Sequence, residues 1–174
     1  AATEAGHDEI VELLLTHKAD PGTKKFDGAT ALMWAAREGH IATAKLLLDH
    51  RADPDVKKND GDTPLMVAAL RGQRDVMTLL MDRGANTDAH NSDGGDTALM
   101  VASLEGHLEA VRLLLERRAD PEAKNDDGVT ALMAAAEGDH VKVAEVLLDA
   151  GADPKTVTPD GFTAWMVAKE AGHQ

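Results

Sequence analysis

The stretch Asp27-Gly28-Ala29-Thr30-Ala31-Leu32-Met33 returns four more times along the chain. It recurs as Asp60-Gly61-Asp62-Thr63-Pro64-Leu65-Met66, Gly94-Gly95-Asp96-Thr97-Ala98-Leu99-Met100, Asp127-Gly128-Val129-Thr130-Ala131-Leu132-Met133 and Asp160-Gly161-Phe162-Thr163-Ala164-Trp165-Met166. Successive threonines stand 33, 34, 33 and 33 positions apart, so one unit repeats in register, with a single residue inserted near Gly94 and Gly95. Self-similarity at such a period marks a solenoid, in which each unit buries its apolar face only by stacking on its neighbours.

Each copy spells the same local structure. Asp-Gly predicts a tight turn, because glycine accepts positive φ. Thr is an N-cap residue, and Pro64 sits just inside a helix start, where its missing N–H costs nothing. A short Ala-rich first helix follows, such as Leu32-Met33-Trp34-Ala35-Ala36, ended by Gly39 and, in register, by Gly72, Gly106 and Gly172. Ile41, Ala44, Leu47 and Leu48 then recur at helical spacing and predict a second, amphipathic helix. Ala52-Asp53-Pro54 breaks it, as do Ala19-Asp20-Pro21, Ala119-Asp120-Pro121 and Ala152-Asp153-Pro154; Ala85-Asn86-Thr87 lacks the proline. The alanines Ala35-Ala36, Ala68-Ala69 and Ala134-Ala135-Ala136 let first helices approach closely, while bulkier Leu-rich second helices spread apart, so the array is expected to curve.

A 33-residue unit with Thr-Pro-Leu, Ala-Ala, Gly-His, a Leu-Leu-Leu run and a Gly-Ala-Asp closing turn resembles the ankyrin repeat over essentially the whole chain. The resemblance implies an all-α solenoid of paired antiparallel helices with β-hairpin-like turn fingers. It implies one array over residues 1–174, with full repeats at 25–57, 58–90, 91–124 and 125–157 and partial repeats at 1–24 and 158–174. It further implies an intracellular, non-catalytic scaffold whose protein partner docks on the concave side, on the turn tips and the exposed face of the first helices.

Four departures from the family pattern carry expectations. Met33, Met66, Met100, Met133 and Met166 stand where the family has a His, and offer packing rather than its hydrogen bonds. Lys18, Arg51 and Arg118 replace the closing Gly kept at Gly84 and Gly151; in left-handed conformation each costs about 1–2 kcal/mol. Gly138-Asp139 predicts a shifted helix end. Ala1 falls inside a first helix and Gln174 before a second, so Ile10, Leu13, Leu14, Met166 and Val167 are expected to lack cover, as in an excerpt from a longer protein or an array whose ends a partner caps.

Charge and composition narrow the function. The net charge of −13 opposes nucleic acid or an anionic membrane as direct partner, since both need a basic footprint. No apolar run reaches the roughly 20 residues of a membrane span. There is no Cys, which removes thiolate, disulfide and Cys-zinc chemistry. Ser92 and Ser103 are the only serines, and no Ser/His/Asp set forms. His7, His40, His107, His140 and His173 recur once per repeat, as do His17 and His50, whereas metal ligands must converge. No catalytic, cofactor or metal site is read.

Candidate partner contacts lie at the turn tips and the ends of the first helices. The tips present Phe26, Asp27, Asp60, Asp62, Asp93, Asp96, Asp126, Asp127, Asp160 and Phe162; the helices present Arg37, Leu70, Arg71, Leu104, Glu105, Glu137 and Glu170. Leu70 and Leu104 stand in register in adjacent repeats and read either as an apolar anchor or as two ordinary surface leucines. The tip aspartates read as a stripe complementary to a Lys/Arg-rich, or mixed apolar and basic, segment. Residues 1–90 hold 11 basic and 15 acidic side chains, residues 91–174 hold 7 and 16, so such a partner should favour the second half. Trp34 replaces the smaller Val67, Val101 and Ala134 and is either a partner contact or a wedge between repeats; Trp165, at a Leu position, is read as a wedge. Alternatives are a structural subunit packed end to end or inside a larger complex, and a regulatory arm of a larger enzyme.

Overall fold

The computed structural model describes residues 8–172. Among them are ten helices and no strand: α1 Asp8–Thr16, α2 Ala31–Glu38, α3 Ile41–Asp49, α4 Pro64–Leu70, α5 Arg74–Asp82, α6 Ala98–Leu104, α7 Leu108–Glu116, α8 Ala131–Glu137, α9 Val141–Asp149 and α10 Ala164–Glu170. The even-numbered helices stack in one inner row, and α1, α3, α5, α7 and α9 in an outer row. Inner helices pack more intimately on one another than outer helices do. The cause is the alanine floor: Ala35, Ala36, Ala68, Ala69, Ala102 and Ala135 are fully buried. The core continues outward through Leu47, Val76, Leu80, Leu114 and Leu147.

Caps fix where each inner helix begins. Thr30, Thr63, Thr97, Thr130 and Thr163 are extended, and each hydroxyl accepts the N–H of the methionine three residues on. The methionine that replaces the family's His returns a bond in one repeat, where Thr63 N–H points at Met66 Sδ, 3.5 Å away. Elsewhere Met33, Met100 and Met133 are simply buried. The residue at each outer-helix break works as a local acceptor: Asp20, Asp53, Asn86, Asp120 and Asp153 each take the backbone N–H two residues on, so Asn86 replaces Asp without loss.

Lys18, Arg51 and Arg118 are left-handed, with φ of 67, 68 and 67°. At the equivalent Gly84 and Gly151 an added Cβ would meet nothing within 4 Å, so these positions tolerate a side chain at a backbone cost alone. The expected shift at Gly138-Asp139 does not occur. α8 ends at Glu137, in register with Leu70 and Leu104, and Asp139 takes the left-handed place of Gly72 and Gly106 at φ 58°.

Trp165 corrects the wedge reading. The leucines at its position, Leu32, Leu65, Leu99 and Leu132, are at most 5% exposed, whereas Trp165 is 66% exposed. An outer helix follows each inner helix that carries one of those leucines, and no such helix follows α10 among the described residues. Ile10, Leu13, Leu14 and Met166 are exposed as expected, and Val167 is half-buried. The helical start at Ala1, His7 and His173 lie outside the described residues.

Candidate functional site

The five fingers are turns, not strands. Each has a backbone bond across its base, from Lys25 N to Ala29 O, Lys58 N to Asp62 O, Asn91 N to Asp96 O, Asn125 N to Val129 O and Thr158 N to Phe162 O, and in all but the third the turn glycine N–H also donates back to the first residue's carbonyl. The inserted residue is absorbed in the third finger, whose Gly94 and Gly95 both have positive φ. Neighbouring fingers are laddered: Asn59 N donates to Asp27 O, Ser92 N to Asp60 O and Asp126 N to Gly94 O. Pro159 occupies the next donor position and has no N–H, so the last finger lacks this rung.

The histidines after the inner helices tie repeats together. His107 Nε2 donates to Leu70 O (3.1 Å) and His140 Nε2 to Leu104 O (2.9 Å); Gln73 Nε2 does the same to Arg37 O (3.2 Å). Each caps an orphan carbonyl at the end of the preceding inner helix. His17 and His50 cap their own helices, through Nδ1 to Leu13 O and Leu46 O. Among the described residues no three His, Asp or Glu side chains converge to hold a metal ion.

Two grooves open between fingers and inner helices. The first, about 310 Å³, lies between α2 and α4. Its apolar floor includes Trp34, Val67 and Leu70, and its rim carries Arg37, Arg71, Lys58, Asp27 and Asp62. Lys25 Nζ lies 4.2 Å and Arg37 Cζ 5.3 Å from the centre of the Trp34 ring, within cation–π range. Trp34 is half-buried, and its Nε1 is enclosed with no hydrogen-bond partner, a cost of about 1–3 kcal/mol. Lys58 Nζ is claimed by Asp60 (2.7 Å) and Asp62 (3.1 Å). Burial alone would pull the Lys58 ammonium down, but hydrogen bonds to these two carboxylates, and their charges, hold it above its ordinary value. Burial would likewise raise Asp60, yet Lys58 and the Asp62 N–H hold it below the usual carboxylate range.

The second groove, about 590 Å³, lies between α8 and α10, where the finger rung is missing. Asp126, Asp127, Glu137, Asp160 and Glu170 line it over an apolar floor of Val129, Phe162 and Val167. Among the described residues no Lys or Arg lines it.

Of the residues expected to meet a partner, none is buried. Asp27, Trp34, Arg37, Asp62, Leu70 and Arg71 gather in the first groove, and Asp126, Asp127, Glu137, Asp160 and Phe162 in the second. Phe26, Asp93, Leu104 and Glu105 are exposed outside both. The aspartate stripe is not uniform. Asp62 and Asp96 accept from Asn91 and Asn125, and Asp60 is held by Lys58, so these three serve the fingers. Leu70 and Leu104 are 42% and 41% exposed, and Leu70 lines the first groove. Lys58, Val67, Val129 and Pro159 are not among the expected partner contacts, and Val167 is expected only to lack cover. Repeat register marks three of them, since Val67 and Val167 align with Trp34, and Val129 with Phe162.

A family model described as ankyrin repeats (3 copies) matches residues 1–91, 50–125 and 84–158. The chain belongs to the ankyrin-repeat family. Ankyrin repeats mediate protein–protein interaction and are typically non-catalytic. No curated protein matches the chain. No ankyrin helix among the described residues is long and apolar enough to cross a membrane.

Proposed function

We propose that this array is a non-catalytic scaffold that binds a Lys/Arg-rich segment of a partner protein on its concave face, centred on the groove between α8 and α10. The observation that carries the proposal is the lining of that groove: five carboxylates, no cation, and an apolar floor able to take the methylene stems of Lys and Arg. That groove holds about 590 Å³, against about 310 Å³ between α2 and α4. The test is calorimetric titration with a Lys/Arg-rich peptide and a Glu-rich peptide of equal length. The basic peptide should bind, more tightly at low salt, and Asp127→Lys/Asp160→Lys should abolish its binding. Equal affinity for both peptides, or a double variant that binds as well as the parent, overturns the proposal.

A second reading, a subunit of a larger assembly, draws on the apolar face that includes Leu132, Val141, Leu148 and the exposed Trp165. Sedimentation over a concentration range decides it: a mass that rises with concentration and is reset by Trp165→Lys supports the reading, and a constant monomer mass rejects it.

A further inference from the structure

The groove between α2 and α4 differs in kind from the acidic one. It pairs an aromatic and aliphatic floor with the guanidinium groups of Arg37 and Arg71. Lys58 is already neutralised by Asp60 and Asp62, so it adds little field. Arg71 makes no ion pair among the described residues, and Arg37 reaches only the exposed Glu38, at 3.6 Å. The guanidinium of Arg37 also lies over Trp34, which places fixed positive charge directly above the apolar floor. A Lys/Arg-rich segment fits the acidic groove and is repelled by these arginines. An apolar side chain flanked by carboxylates fits the floor and the arginines together.

We infer that the partner segment is bipolar: one extended stretch sets its basic block between α8 and α10 and an acid-flanked apolar residue between α2 and α4. The second groove thus fixes which way the segment runs along the array. This rests on the proposed binding of a basic segment and adds its second anchor. The grooves are three inner-helix steps apart. At roughly 8–10 Å per step the span is about 24–30 Å, which an extended chain covers in about seven to nine residues. A linker of that length makes the second contact intramolecular and adds affinity without any further contact.

The experiment uses the whole chain carrying Trp165→Phe, so that Trp34 is the sole indole reporter. Four synthetic peptides are titrated: a Lys/Arg block, a Glu-Leu-Glu segment, and the two joined by a Gly/Ser spacer of about eight residues in each chain order. One order of the joined peptide is expected to bind at least tenfold more tightly than the basic block and to change Trp34 fluorescence, which the basic block alone does not. In Arg37→Glu/Arg71→Glu, and in the milder Arg37→Gln/Arg71→Gln, the joined peptide should bind no more tightly than the basic block does on the same variant. If the basic block binds but neither joined order gains affinity, the second anchor is refuted while the proposed function stands. If the basic block fails to bind yet the Glu-Leu-Glu segment perturbs Trp34, the proposed function falls and the groove between α2 and α4 keeps its acid-flanked ligand.

Discussion

The two grooves are the same piece of backbone three repeats apart, and they differ in most of the side chains that line them. Where the first has Arg37 and Leu70, the second has Glu137 and Glu170. Where the first has Ala29 and Asp62, the second has Val129 and Phe162; Trp34 gives way to Ala134, while Val67 is kept as Val167. The N-capping threonines and the left-handed helix ends are common to both, and a buried leucine follows the cap at Leu32, Leu65 and Leu132, with the exposed Trp165 in its place on α10. The frame is therefore set by residues that never reach the surface of a groove, and its chemistry by a handful that do.

The strongest test strikes the shared frame. Gly72 has φ +62°, and a Cβ there would lie 2.8 Å from His107 Nδ1, on a ring already held by its bond to Leu70 O. Gly72→Ala must displace that ring as well as accept a strained backbone, and is expected to cost about 2–4 kcal/mol in chemical denaturation. Gly84→Ala meets nothing within 4 Å and should cost only the backbone term, about 1–2 kcal/mol. Equal losses at the two sites would show that inter-repeat contact at the inner helix ends contributes nothing.

Next comes the chemistry that separates the grooves. Asp127→Lys/Asp160→Lys should weaken a basic peptide at least tenfold, about 1.4 kcal/mol, with little change in melting temperature because both side chains are exposed. Arg37→Glu/Arg71→Glu should not weaken it. A basic peptide that gains from Arg37→Glu/Arg71→Glu as much as it loses from Asp127→Lys/Asp160→Lys would mean that net charge, rather than one groove, attracts it.

Frame and chemistry were not equally legible in the sequence. The frame was, because turn glycines, capping threonines and alanine pairs recur at a fixed period and each has one local physical role. The acidic second half was legible too, from charge counts alone. What escaped was which aspartates the fingers use for themselves: Asp60, Asp62 and Asp96 look like Asp127 and Asp160 in a row of letters, but Lys58, Asn91 and Asn125 hold the first three. The exposure of Trp165 escaped for a related reason. A Leu-register position is buried by its neighbouring outer helix, not by its own sequence.

Between the two grooves, α6 carries a smaller irregularity. Ser103 stands in register with the buried Ala36 and Ala69, is itself fully buried, and its hydroxyl has no hydrogen-bond partner. Ser103→Ala restores the alanine floor and removes the unsatisfied group. It is expected to stabilise the array by about 1 kcal/mol in a denaturant melt, and a loss of stability would show that the hydroxyl is satisfied in solution.

The smallest effect separates paired from unpaired acid. Asp60 titrates below its ordinary value of 3.8 because of Lys58, so its contribution is complete above that value and is lost as pH falls through the lower, folded one. Lys58 is the mirror case. Raised above 10.5, its contribution is complete below that value and fades as pH climbs through the folded one. Asp60→Asn should therefore lower stability near neutral pH and flatten the acid limb of the stability profile. The effect should stay under about 1 kcal/mol, since the pair is partly exposed and screened. Asp160→Asn, in a groove lined by five carboxylates and no cation, relieves like-charge repulsion and should leave stability unchanged or slightly raised near neutral pH. Parallel thermal melts of the two variants from neutral to acid pH read the difference. If both lose stability alike, the acidic groove is also internally compensated, and the contrast between the two grooves disappears.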